Sequence, residues 1–339
     1  MVTKANLAVG LDARLRDDRA IGTLMGLAIG DTLGDQARSL ENHALYGITR
    51  DLHSNESWST DDTEFALLVA QELIVTKGEL TTGAVVEAWR EYVLTQEELG
   101  TKVGESEKGA VANLRRGILP PQSGSDNAYH YSDGAAMRVA PIGIVCAGDP
   151  ARAARQAEIE ACVSHYRDGV WGAQAVAASI AVAMTGSSVE EIVATGRQFI
   201  PNDSWLGRWF DRAMGIVDAA GGDLWKAWDP LHRELWTSYR ASNAEALSQA
   251  YALFRLTRGD FVEGVIAAAN FGRDADTLAA LVGAWSGTLH GASAIPPAWV
   301  EKTRRPSGRC LRFTAGLDIG EVALALVGFS NIRTASVRR

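Results

Sequence analysis

The stretch that most constrains this chain is Gly272-Arg273-Asp274-Ala275-Asp276-Thr277, with Leu278-Ala279-Ala280-Leu281-Val282-Gly283 directly behind it. Two carboxylates and a hydroxyl stand at the mouth of an apolar, small-residue helix. Inside a helix, Asp274 and Asp276 would face nearly opposite sides, because residues two apart are not neighbours. At a loop-to-helix junction they converge, with Asp276 near the N-cap and Asp274 in the preceding turn. Read alone, the pair is a set of caps, since Asp is a preferred N-cap residue. A second copy of the same chemistry changes that reading. Ser59-Thr60-Asp61-Asp62-Thr63 opens another apolar helix, Phe65-Ala66-Leu67-Leu68-Val69. Two Thr/Asp clusters at two helix entrances, far apart in sequence, read as two halves of one hard-cation site. Carboxylates and hydroxyls without imidazole or thiolate suit Mg²⁺, and Mn²⁺ or Ca²⁺ less selectively. A cation at the partially positive end of a helix needs excess negative charge, which four Asp supply. Two ions roughly 3.5–4 Å apart would clamp a substrate's oxygens and activate a water, so the pattern is that of a metal-dependent hydrolase.

The rest of the composition narrows the class. With 339 residues, 47% hydrophobic and 22% charged, the chain has an ordinary globular make-up and length enough for a large core. No Pro/Ser linker, charge block or low-complexity tract marks a boundary, so a single domain over 1–339 is expected. A net charge of −8 argues against nucleic acid as the main partner. Cys146, Cys162 and Cys310 are few, odd in number and widely spaced, which supports neither a disulfide framework nor a zinc site. Met1-Val2-Thr3-Lys4 lacks a signal-peptide pattern. The apolar stretch from Val170 to Met184 includes Gln174 and Ser179 and is short for a membrane span. A cytoplasmic protein without a membrane partner is expected.

Strand-like alternation is scarce, and the expected fold class is all-α, a single compact multi-helix domain. Ile21 to Ile29 reads as an apolar helix whose Gly22 and Gly26, four apart, let another backbone approach. Gly30-Asp31-Thr32-Leu33-Gly34 reads as its tight exit, with Asp31 structural. Residues 35–57 read as polar and irregular, and 100–133 as a long glycine-rich loop. Helices are expected from Thr60 to about Val75, Thr82 to Leu94, Ala151 to Val163, Val170 to Met184, Ser242 to Leu256, Phe261 to Asn270 and Leu317 to Phe329. Most of the five tryptophans between 186 and 240 read as packing. The basic end, Arg338-Arg339, reads as frayed.

Five motifs in order carry a resemblance: Gly30-Asp31-Thr32-Leu33-Gly34, Thr60-Asp61-Asp62-Thr63, Gly134-Ala135-Ala136-Met137-Arg138, Ser164-His165, and Asp274-Ala275-Asp276-Thr277. Together they resemble the ADP-ribosylglycohydrolase family over residues 18–295, leaving 1–17 as an N-terminal arm and 296–339 as a C-terminal extension. The resemblance implies an all-helical domain with two Mg²⁺ or Mn²⁺ ions in a cleft, cleaving the N- or O-glycosidic bond at C1″ of ADP-ribose. It implies Thr60, Asp61, Asp62, Asp274, Asp276 and Thr277 as metal ligands, with Asp61 or Asp62 as the base. It implies the segment Ser132, Asp133, Gly134, Ala135 to Met137 as a diphosphate cradle built from backbone N–H groups. It implies His165 as a substrate contact, although a His closing a helix is also a common C-cap. The implied partner is an ADP-ribosylated protein or a small ADP-ribosyl or ribosyl compound.

Three departures stand out. Where the family carries a Glu seven residues after the first Asp, this chain has Arg38. The cradle has Asp133-Gly134, placing a carboxylate where a diphosphate would sit. The last motif reads Gly272-Arg273-Asp274, so Arg273 is either a planar donor at the cleft mouth or a surface ion pair. The residues therefore leave three readings open: an ADP-ribosyl hydrolase, the same metal centre acting on a small nucleoside-like N-glycoside, or a non-catalytic ligand-binding member.

Overall fold

A computed structural model of the chain describes residues 13–53, 58–96, 99–100 and 102–330. Seventeen α-helices and no strand occur among these residues. The first six are α1 (Ala13–Ala37), α2 (Leu40–Tyr46), α3 (Asp61–Val75), α4 (Thr82–Ala88), α5 (Glu105–Arg115) and α6 (Gln122–Ser125). Next come α7 (Ala140–Val145), α8 (Pro150–Ala161), α9 (Asp168–Ala183), α10 (Val189–Arg197), α11 (Trp205–Ala219) and α12 (Leu224–Glu234). The last five are α13 (Asn243–Leu256), α14 (Phe261–Phe271), α15 (Ala275–His290), α16 (Pro297–Thr303) and α17 (Ile319–Val327). Residues 1–12 of the expected N-terminal arm, and the basic end at 338–339, lie outside the described residues.

The spine of the fold is the antiparallel pair α1 and α15. Gly22, Gly26, Gly30 and Gly34 recur every fourth residue and so share one face of α1. A Cβ built at Gly22, Gly26, Gly30 or Gly34 would stand 2.0–2.3 Å from the carbonyl oxygens of Gly287, Gly283, Ala279 and Ala275 respectively. Only hydrogen fits there, and the two backbones touch. The expected exit at Gly30 to Gly34 is thus corrected: α1 continues to Ala37, because close packing offsets the roughly 1 kcal/mol that a helical Gly costs. This pairing brings the end of α1, with Asp31, Asp35 and Arg38, against the start of α15.

Two other expectations are corrected. Residues 35–57 contain α2, which buries none of its residues and so shows no apolar stripe. The 100–133 stretch contains α5 and α6 rather than one long loop. Helix α5 hides its periodicity because its buried face mixes Ser106, Glu107 and Asn113 with Ala110, Val111 and Leu114.

The main core runs through α1, α3, α7, α9, α13, α15 and α17, with Leu33, Leu73, Ile142, Val176, Leu247, Leu281 and Leu326 all buried. A smaller core of Phe65, Leu68, Trp89, Val111 and Leu311 covers the other flank of α3. Helix α3 is clamped between the two, and its N-terminus is held toward the end of α1. The five tryptophans differ among themselves: Trp209 donates to the Leu235 carbonyl at 3.1 Å, whereas Trp225 and Trp236 are exposed. All three cysteines are free. No described helix is long and apolar enough to cross a membrane.

Candidate metal centre and cleft

Asp31 of α1, Asp62 of α3 and Asp276 of α15 each direct a carboxylate oxygen to one point. The three oxygens lie within 4.8 Å of one another, and all three residues are buried. Asp31 is also a tertiary cap. It accepts from the Thr60 N–H at 2.8 Å, the Thr60 hydroxyl at 2.7 Å, the Thr63 N–H at 3.2 Å and the Thr63 hydroxyl at 2.5 Å. Thr60 is the N-cap of α3 yet makes no side-chain cap bond of its own, because Asp31 fills that role. The Thr60 hydroxyl lies 3.3 Å from Asp62 Oδ2. At α15 the N-cap is Asp274, two places before the expected Asp276, and its side chain makes no cap bond either.

Burial and mutual repulsion govern the charges here. Desolvation is the largest cause throughout, and it pushes Asp31 up to about 6 and Asp276 up to about 7. Asp276 is then drawn down by Arg38 and pushed up by Asp274 and Asp31. Burial, reinforced by neighbouring carboxylates, holds Asp61 and Asp62 well above the usual carboxylate range. Asp62 Oδ1 and Asp276 Oδ1 are buried with no hydrogen-bond partner. Orphaned carboxylate oxygens facing one another are costly unless a cation joins them. The donor set is all oxygen and fits a hard divalent cation.

Above these carboxylates opens a cavity of about 440 Å³, lined among others by Asp61, Asp62, Glu107, Ser132, Asp133 and Asp276. Asp61 fixes one oxygen, Oδ2, by accepting from the Gly104 N–H at 2.6 Å. Thr277 and Asp274 also line it. Of the segment expected to cradle a diphosphate, Ser132, Asp133, Gly134 and Met137 face the cavity, while Ala135 is buried behind it. Four of that segment's N–H groups donate within the protein: Ser132 to the Tyr129 carbonyl, Asp133 to the Ala241 carbonyl, Gly134 to the Ser132 hydroxyl and Met137 to the Asp133 carbonyl. Burial first, then the charge of Asp274 and a hydrogen bond to its carboxylate, push Asp133 well above the usual carboxylate range, which weakens the repulsive charge that its sequence position implies.

His165 is fully buried and lies outside the cavity lining. Its Nε2 is 2.9 Å from the Ser132 hydroxyl and its Nδ1 is 2.7 Å from the Ser164 hydroxyl. Desolvation, then the charges of Arg138 and His130, hold it well below the usual imidazole value, so it is neutral. It therefore positions Ser132 from behind. Helix α8 ends at Ala161, with Cys162 as its C-cap. The neighbouring Arg138 is wholly buried, bonded to Glu107 at 2.7 Å, Glu160 at 2.8 Å and the Ser164 hydroxyl at 2.8 Å. This network fixes Glu107 at the cavity edge.

Arg38 enters the site directly. Its Nη1 is 2.6 Å from Asp276 Oδ2 and 3.7 Å from Asp274 Oδ1, and its Nη2 is 3.0 Å from Asp35 Oδ1. Arg273 pairs with the buried Glu245 at 2.9 Å, donates to the Thr237 carbonyl and lies over the Trp236 ring at 5.4 Å, while its flank lines the cavity. Sequence reading missed Asp31 as a member of the carboxylate group, and Glu107, Tyr239 and Arg240 as lining residues. Asp31 had one available signal, a carboxylate on the glycine face of an apolar helix. The others lie in stretches with no pattern.

With the geometry described, comparison with known proteins adds identity. The ADP-ribosylglycohydrolase family profile matches residues 12–328. An uncharacterised protein of Archaeoglobus fulgidus is 33% identical over 291 residues, covering 82% of this chain and 89% of its own. The ADP-ribosylarginine hydrolase Tri1 of Pseudomonas putida is 28% identical, covering 84% of this chain and 74% of its own. A solved ADP-ribosylglycohydrolase-related protein complex superposes with a TM-score of 0.64 at 23% identity, over 94% of this chain and 99% of that one, a likeness of fold.

Proposed function

Since this chain belongs to the ADP-ribosylglycohydrolase family, we propose that it is a metal-dependent hydrolase cleaving the C1″ N- or O-glycosidic bond of an ADP-ribosyl conjugate. The ion proposed is Mg²⁺, with Mn²⁺ as its substitute. The observation that carries this reading is the convergence of three buried carboxylates, of which Asp62 and Asp276 carry orphaned oxygens and line the cavity. A bound ion would neutralise them, hold ribose hydroxyls and lower the pKa of a water. Asp31, Asp62 and Asp276 are the proposed core of its ligand set, with Thr60, Asp274 and Thr277 beside them. A second ion needs oxygens of Asp274 and Asp276 that Arg38 now holds.

The remaining steps belong to side chains. Asp61 is the proposed base, because one oxygen is tied to Gly104 and burial raises its proton affinity. It takes a proton as the oxygen of water bonds to C1″. The bond from C1″ to nitrogen or oxygen breaks, its electron pair leaves with the departing atom, and that atom takes up a proton. Burial and the neighbouring Asp274 favour the protonated form of Asp133, which lessens its repulsion of the substrate's phosphates.

Isothermal titration with ADP-ribose, first with Mg²⁺ and then with EDTA, tests the reading. Saturable binding in the micromolar range or tighter that disappears with EDTA supports it. No binding to protein that demonstrably holds metal rejects the ADP-ribosyl substrate.

A further inference from the structure

Beside the carboxylate pocket lies a second cavity of about 560 Å³. The two cavities have four lining residues in common, Arg38, Lys102, Arg240 and Arg273, and every one is cationic. In a chain of net charge −8, such a wall is not a by-product of a basic surface. On its far side the second cavity adds one carboxylate, Asp35, together with the exposed start of α2 around Leu40 and His43. Its lining holds four cations against the single carboxylate of Asp35, and three of those cations are paired with carboxylates outside that lining, Asp276, Asp274 and Glu245.

The wall is held in place, not scattered. Arg38 and Lys102 both reach Asp35 Oδ1, at 3.0 and 2.6 Å. Arg240 reaches Asp274 at 3.2 Å and Arg273 is fixed by Glu245. Asp35 thus serves two cations at once, and both of them line the two cavities. Guanidinium forks in this arrangement match the planar oxygens of phosphate and carboxylate. A cationic group at the same place meets four cations, and the carboxylates beside them are already engaged by those cations.

Position gives the wall a meaning. The Ser132–Met137 segment lines the first cavity together with Asp61, Asp62 and Asp276 and contributes nothing to the second, which the four cations border as well. Resting on the ADP-ribosyl reading above, a ribose over the floor would direct its C1″ substituent to the wall. We propose that the group departing from C1″ is anionic, bearing a phosphate or carboxylate that docks against Arg38, Lys102 and Arg240. A leaving arginine side chain, the substrate that the name of the Pseudomonas putida relative implies for that protein, is disfavoured here by its own positive charge.

The test is a ranking of affinities on the full chain with Mg²⁺, by isothermal titration of ADP-ribose, ADP-ribose 1″-phosphate and ADP-ribosylarginine. The expected order puts the 1″-phosphate at least about tenfold tighter than ADP-ribose and the arginine conjugate weaker than either. In Lys102→Gln/Arg240→Gln the phosphate's margin is expected to fall below about threefold. Equal affinities in the wild type, or a margin that persists in the double variant, overturns the proposal; the wild-type ranking stands even if the variant fails to fold. If ADP-ribose itself does not bind, the substrate reading fails, and titration with inorganic phosphate and with succinate in EDTA decides the wall separately. Saturable binding of either anion, lost in the double variant, keeps an anion site, and the tighter of the two separates phosphate from carboxylate. No saturable binding of either rejects it.

Discussion

Helices α15 and α17 both begin behind an aspartate, but the two aspartates are used differently. Asp318 caps its own helix, accepting from the Gly320 and Glu321 N–H groups at 3.0 and 3.2 Å, and pairs with Arg304 at 2.6 Å. Burial pushes Asp318 up, but these bonds outweigh it and hold the carboxyl below its ordinary value. Asp274 makes no cap bond and lines the cavity with Asp276. The same split separates Ser242, which caps α13, from Thr60, which leaves the capping of α3 to Asp31. A capping residue that does not cap its helix is available for other chemistry: Asp274 lines the cavity, and Thr60 donates to Asp31 of the carboxylate cluster.

The largest expected effect that sharpens this contrast is on activity. Asp62→Ala should lower the rate on a cleavable ADP-ribosyl substrate by at least about 100-fold, since even residues supporting metal ligands are worth 10–100-fold. The circular dichroism of this variant should stay native, because the change removes a repelled carboxylate and little core. An active Asp62→Ala enzyme would contradict the ligand assignment.

Next comes the spine that brings Asp31 and Asp276 together. Gly30→Ala places a methyl 2.0 Å from the Ala279 carbonyl oxygen and 2.3 Å from its carbon, so one backbone must move. Overpacking of this kind costs about 1–3 kcal/mol, to be read from urea unfolding, and metal affinity should fall with it. An unchanged midpoint and metal affinity would show that the pair of helices yields freely.

Asp318→Ala should cost about 0.5–2 kcal/mol of stability as a lost cap while leaving the rate per folded molecule unchanged. A drop in rate would blur the distinction between the two helix starts.

The smallest effect concerns pH, and the two regions should respond with opposite sign. Asp31 and Asp276 have folded values of about 6 and 7, above their ordinary 3.8. The stability they contribute to metal-free protein is full below that value and is lost as pH rises through about 6 to 7. Asp318 is lowered, so its contribution is full above its ordinary value and is lost as pH falls through its folded one. Melting temperatures in EDTA should therefore decline from pH 5 to 8, and the decline should shrink with saturating Mg²⁺. A rise over that range in EDTA would contradict the account of the cluster.

Much of the fold was legible from local signals. Helices α9, α13 and α14 lie within two residues of the bounds expected from apolar runs and flanking caps, because nothing else competes for those residues. Helix α1 was cut short by its glycines, since the reason for them lies on α15, some 250 residues on. Helix α5 was missed because it buries Glu107, which serves Arg138, in a place where an apolar residue would have marked the face. At the site, the two Thr/Asp clusters could be found by type and spacing alone. Asp31 could not, because its partners Thr60 and Thr63 become neighbours only when α3 packs beside α1. The cationic wall was invisible for the same reason: Arg38, Lys102, Arg240 and Arg273 come from four separate stretches.

The most direct test needs no substrate. Titration of metal-free protein with Mn²⁺ and Mg²⁺ should be compared among the wild type, Asp62→Asn and Asp318→Asn. The account predicts saturable binding in the wild type and in Asp318→Asn, and its loss in Asp62→Asn. Equal binding in all three would place the ion elsewhere, and no binding in any would show that the converging carboxylates are not a metal site.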